Sequence, residues 1–217
     1  FITDDTEALS AYFQTDYAGA VQRLATASAR FDRVAMPAEL RRRFQLLKLS
    51  LAAPPPADSA LAAEMVGLQV GMEGAYGRGS YCRPKAGGGQ ECLQISAIDS
   101  IMADSRDAAE LLDIWRGWHR IGVPMRDRYA RFAALANQGA RTLGFRDAGA
   151  MWRSGYDMPP EDFAREMDRL WEQVKPLYLS LHAYVRRRLA ERYGAAVPAN
   201  GMIPAHLLGN LWAQDWS

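Results

Sequence analysis

The chain has 217 residues, 49% of them hydrophobic, with 26 Lys and Arg against 25 Asp and Glu and a formal net charge of +1. That apolar content suits one domain, or one lobe of something larger, with a sizeable core, and excludes disordered and fibrous classes. A near-zero charge offers no field to steer nucleic acid or an acidic membrane, and no apolar run approaches the roughly 20 residues needed to span a bilayer.

The dominant period along the chain is 3.6, with almost no strand-like alternation, which predicts an all-α fold of long amphipathic helices. The first helix is expected to begin at Asp4, Asp5 or Thr6 and run towards Phe31, burying Leu9, Phe13, Tyr17, Ala20 and Leu24 on one face. Pro37 opens a second, PAELRRRFQLLKLSL, as a first-turn proline does. APPP at 53–56 separates it from a third, which opens at Asp58 or Ser59 and fades into a glycine-rich loop at 77–91.

Within that loop Cys82 and Cys92 enclose RPKAGGGQE. Gly87, Gly88 and Gly89 can turn the chain tightly enough for a disulfide, while two free thiols fit the same residues equally well. Beyond it, SRDAAELLDIWRGWHRIG reads as a helix from Ser105 as cap to Gly122 as left-handed stop, and Pro124 opens the next. From Pro159 a long periodic run continues to Gly194, with Pro176 expected to kink it. Pro204 is then expected to begin a last helix.

Chemistry-bearing motifs are scarce. His119, His182 and His206 stand at no zincin spacing, and HExxH, GxSxG, Walker and dinucleotide signatures are absent. His119 and His182 lie among aromatics and read as imidazoles satisfied by neighbours. Arg41 to Arg43 and Arg186 to Arg188 read as solvated helix faces or ion-pair partners, Trp115 and Trp118 as core on one face, and Glu161 and Asp162 as acids at a helix amino terminus.

Four stretches together carry a resemblance: YCRPKAGGGQECLQI, WRGWH, FRDAGAMWRSGYDMPPEDF, and PLYLSLHAYVRRRLAERYG followed by IPAHLLGNLWAQDWS. They resemble the angiotensin-converting enzyme family of zinc peptidyl-dipeptidases, strongly from Cys82 to Ser217 and faintly before. The resemblance implies the amino-terminal lobe of a larger two-lobed helical metallopeptidase: residues 1–217 as one helical lobe, 1–80 forming lid-like helices and 81–217 a wall of the substrate cleft. It places the zinc ligands and HExxH helix outside these residues, in a carboxy-terminal part that becomes a partner and would cover Trp212 and Trp216. This chain alone is then expected to be inactive and to hold no metal ligand or catalytic residue of its own.

Residue by residue, Gln214 matches a glutamine that binds the free carboxylate of a peptide's last residue, a task suited to an amide donor. Asp215 stands where relatives carry a small hydroxyl residue lining the same subsite, and an acid there would tend to repel that carboxylate. Tyr156 matches a tyrosine that contacts an activating chloride, while His119 implies that a second chloride site is absent. WRGW puts Arg116 where an acid is usual. Cys82 and Cys92 match the family's first disulfide, which implies a bridge and an oxidising compartment, periplasmic or extracellular. Phe1 in place of a starting Met agrees with a removed export signal. The second reading is a non-catalytic helical binding module.

Overall fold

The computed structural model describes residues 2–85 and 87–216. Among them lie eight α-helices, α1 (Asp4–Ser28), α2 (Ala38–Lys48), α3 (Ser59–Gly77), α4 (Ile95–Asp104), α5 (Ala108–His119), α6 (Arg126–Thr142), α7 (Ala148–Ser154) and α8 (Pro160–Tyr193), and one hairpin, β1 (Tyr81–Pro84) with β2 (Gln90–Leu93). The all-α class holds; the hairpin is the addition. It is antiparallel with Cys82 opposite Cys92, and its turn uses Gly87, Gly88 and Gly89, all at positive φ, as only glycine adopts readily. Cys82 and Cys92 are joined by a disulfide.

The chain divides into two units, Phe1–Gly77 with Met125–Asp168, and Arg78–Pro124 with Arg169–Ser217. In unit 1, Met65 of α3, Leu135 and Ala140 of α6 and Met151 of α7 form the centre of the core. Asp58 caps α3 through Oδ1, which accepts from the Ala60 and Leu61 amides at 2.9 and 3.0 Å. Pro54 and Pro55 are fully buried, and a Cβ on Gly139 of α6 would sit 1.9 Å from the Pro54 carbonyl oxygen. The proline segment therefore lies directly on the α6 backbone.

α1 departs from its expected burial. Leu9, Phe13, Tyr17 and Leu24 are all more than half exposed, and the buried residues are Gln22, Ala25 and Ser28. Small and polar residues let α1 approach α3 closely: the Glu7 carboxylate occupies the place a Cβ on Gly74 would need. Close backbone approach has outweighed side-chain bulk here. The cap is Thr3, one residue before the expected start; its hydroxyl accepts from the Thr6 amide in a capping box.

In unit 2, Ile98 and Met102 of α4, Leu111, Ile114 and Trp118 of α5, and Leu207 and Leu211 build the main core. α5 is capped by Asp107, not Ser105, whose hydroxyl instead donates to Glu110 at 2.8 Å. Gly122 is not left-handed; a 3₁₀ segment, Arg120–Met125, carries it and Pro124 between the helices. α8 runs helical through Pro176 and stops before Gly194 at φ 55°. The last expected helix does not form: after Pro204 there is one 3₁₀ turn, Ala205–Leu207, and then bends.

Candidate functional site

The segment after that 3₁₀ turn owes its shape to Gly209 and Asn210. Gly209 has φ 68°, and Asn210 Oδ1 accepts from the amides of Trp212 at 3.0 Å and Gln214 at 3.1 Å. A side-chain acceptor that takes amides two and four residues on competes with the helix for the same donors. This is why the helix is lost. Ala213 is driven to φ 56°, an uncommon place for a residue with a Cβ.

Two contacts tie the turn to the core of unit 2. Leu211 is 1% exposed, and its carbonyl accepts from Trp115 Nε1 at 3.1 Å. Trp216 donates Nε1 to the Ala213 carbonyl at 3.2 Å and packs beside Val185, Ile203 and Leu208, its ring within 6.3 Å of Tyr178 and His182. Trp216 therefore has cover within the chain, contrary to expectation, while Trp212 remains 48% exposed.

Held between these anchors, Gln214 and Asp215 are both exposed. The backbone of Gln214 is occupied by Asn210, which leaves the carboxamide as the part offered outward. Asp215 folds its Cβ to within 2.9 Å of where a Cβ on Gly209 would stand. The positive φ and this contact together hold position 209 to glycine.

Trp115 is anchored by α5, where its ring lies 4.0 Å from that of His119 and His119 Nδ1 meets the Trp115 carbonyl at 2.7 Å. His119 is thus a satisfied imidazole. On the same helix, the hairpin ring of Tyr81 lies where a Cβ on Gly117 would meet it at 2.2 Å, and Tyr81 OH donates to Asp113 with both oxygens at 2.8 Å. Burial, then the Asp113 hydrogen bond, raise the Tyr81 phenol above its ordinary range. Arg83 reaches Glu110 at 2.9 Å and Glu91 at 3.2 Å. The Ser105 hydroxyl and then Arg83 hold the Glu110 carboxyl below the usual range. His206 is lowered by burial and by the charge of Arg116.

Tyr156 lies in unit 1, 62% exposed, its ring 4.3 Å from Phe163; the adjacent Asp157 accepts from Arg42 at 3.0 Å. The arginine runs are occupied as read: Arg43 pairs with Glu39, and Arg187 and Arg188 with Glu191. Among the described residues no group of three His, Cys, Asp or Glu side chains could hold a metal ion, so these residues do not fit a zinc centre. Among the described residues no helix is long and apolar enough to cross a membrane. Sequence reading passed over Asn210, Gly117 and Tyr81; only the Gly-Asn pair carried a local signal, as a turn dipeptide.

The family model described as angiotensin-converting enzyme matches residues 1–217. Among curated relatives, angiotensin-converting enzyme of Oryctolagus cuniculus is 45% identical over 152 residues, 69% of this chain and 11% of that protein. That of Bos taurus is 50% identical over 121 residues, 55% of this chain and 9% of that protein. That of Theromyzon tessulatum is 38% identical over 156 residues, 70% of this chain and 25% of that protein. The chain thus spans about a tenth of the length of the mammalian relatives and a quarter of the leech one.

Proposed function

This chain belongs to the angiotensin-converting enzyme family, and from that premise we propose that it is the amino-terminal portion of a zinc peptidyl-dipeptidase that removes dipeptides from the free carboxyl end of peptides. The observation that carries the reading is the family match over residues 1–217. The zinc centre is assigned to the carboxy-terminal part of the same protein. That part also accounts for the stripe Leu170, Val174, Leu177, Leu181 and Tyr184 on α8, all exposed at the 4-3-4-3 spacing of a helix-packing seam.

In this reading Gln214 donates its carboxamide N–H to the terminal carboxylate of the substrate, and Asp215 beside it lines the same subsite as an acid that tends to repel that carboxylate. Tyr156 is assigned to a chloride contact completed by the remainder of the protein. Residues 1–80 act as lid-like helices and 81–217 as cleft wall. Export to the periplasm or exterior goes with the Cys82–Cys92 bridge.

The test is made on the protein expressed with the reading frame that follows Ser217. Peptides with a free carboxyl end should lose a dipeptide, chelator should stop this, and carboxyl amidation of the peptide should weaken binding. Gln214→Leu should raise KM about tenfold or more for free-carboxylate peptides, the worth of a hydrogen bond to a charged group, and leave amidated peptides unchanged. A following stop codon, or no dipeptide release, would favour a non-catalytic binding module.

A further inference from the structure

We propose that Asn210 is a positioning residue for recognition of the peptide's terminal carboxylate, acting through the Gln214 backbone amide that its side chain holds. The inference rests on the reading of Gln214 given above and adds the group that aims it.

Position 214 lies just past the reach of the turn's own backbone bonds. Asn210 N–H donates to the Leu208 carbonyl at 2.8 Å, and Ala213 N–H to the Asn210 carbonyl at 3.3 Å, which closes the chain as far as Ala213. The Gln214 amide, one residue beyond, goes to Asn210 Oδ1 at 3.1 Å, and the Trp212 amide reaches the same atom at 3.0 Å. Two N–H donors on one atom fix the orientation of the carboxamide with its oxygen toward the turn.

Those two bonds straddle Ala213, which stands at φ 56°. A residue with a Cβ stays in that region only where its surroundings over-determine it. The surroundings here are Asn210 Oδ1 on either side, Trp115 Nε1 on the Leu211 carbonyl at 3.1 Å and Trp216 Nε1 on the Ala213 carbonyl at 3.2 Å. Removing Oδ1 lets Ala213 relax and carries the Gln214 backbone with it. A group already held in place loses less freedom when it binds. The contribution of Asn210 is therefore read in the binding of the carboxylate and not in the chemistry at the scissile bond.

The choice of Asn over Asp separates this role from plain turn formation, since a turn of this kind accepts either residue. An aspartate would take the same two amides. It would also add a second acid to Asp215 near the subsite, and like charges there oppose the substrate carboxylate. The carboxamide supplies the acceptor without the charge.

The test uses the protein expressed with the reading frame that follows Ser217, and compares KM for a peptide with a free carboxyl end against KM for the same peptide amidated. Asn210→Ala should reduce the preference for the free end about fivefold, the worth of one hydrogen bond, through KM and not kcat. Asn210→Asp should keep the parental Tm. Its preference should fall at about 0.01 M salt and return to that of the parent at about 1 M, as the screening length drops from about 30 to about 3 Å. Should Asn210→Ala not fold, Asn210→Ser takes its place, because its oxygen sits one bond nearer the chain and does not span both amides. With Gln214→Leu effective, a parental preference in Asn210→Ala, or a preference lost in Asn210→Asp at 1 M salt as fully as in Asn210→Ala, overturns this inference alone. Absence of dipeptide release, or a Gln214→Leu variant without effect, overturns the peptidase reading and this inference with it.

Discussion

Replacing Gly117 by alanine should destabilise the protein, although alanine is the better helix former. The new Cβ would stand 2.2, 2.3 and 2.5 Å from Cδ2, Cε2 and Cγ of Tyr81, where carbon atoms pack at about 3.5–4.0 Å. The ring has to retreat by more than about 1 Å, and it is held at its far end by the hydrogen bond to Asp113. Overpacking of this kind costs about 1–3 kcal/mol. A displaced hydroxyl adds about 1 kcal/mol, kept low because Asp113 is exposed, and the helix propensity of alanine returns about 1 kcal/mol. The net loss is about 1–3 kcal/mol, or a Tm lower by roughly 2–12 °C at this chain length. Gly67 is the internal control, since it is also inside a helix and a Cβ there meets nothing within 4 Å; Gly67→Ala should stabilise by about 0.5–1 kcal/mol. Thermal and urea unfolding followed by circular dichroism would measure both. In the Tyr81→Ala background the Gly117→Ala penalty should vanish. If Gly117→Ala is neutral with Tyr81 present, or keeps its cost without it, the close-approach reasoning is wrong.

Three further outcomes are expected. Gly139→Ala should cost at least about 3 kcal/mol, because the obstacle is the Pro54 carbonyl rather than a movable side chain; a Tm within a degree or two of the parent would contradict it. For His206, whose folded pKa lies below its ordinary value of 6.5 through burial and Arg116, the unfolded chain binds more protons in the window below 6.5. Its contribution is therefore complete above that value and is lost as pH falls through the folded one. Arg116→Gln should raise the His206 titration midpoint seen by NMR, with burial alone left to depress it, and an unmoved midpoint would refute the coupling. Replacing Cys82 and Cys92 together by alanine should lower stability by about 2.5–3 kcal/mol, the chain-entropy value for a loop of this length, read by urea unfolding.

The helical class, the starts of α2 and α3, the end of α8 at Gly194 and the core role of Trp118 were all legible locally, since caps, prolines and period act within a few residues. The disulfide was not. Residue types left bridge and free thiols equally open, and only the resemblance favoured the pair that the hairpin register then sets face to face. α1 misled because a hydrophobic face says that something can be buried without saying what is present to bury it. In unit 1, glycines on α3 accept Glu7 and Ile2 at distances that no Cβ would allow, and α1 turns its small residues inward.

The candidate site divides in the same way. Gln214, Asp215 and Tyr156 could be named from motifs, yet that Gln214 and Asp215 leave a bent segment instead of a helix was decided by Asn210 capturing two amides. The sequence by itself determined the helical class and several helix ends, among them the starts of α2 and α3 and the stop of α8 at Gly194, because capping and periodicity are short-range. Tertiary structure alone decided which faces are buried, why Gly117 and Gly139 leave no room for a Cβ and how Leu211 is anchored on Trp115, because those depend on atoms brought together from distant parts of the chain.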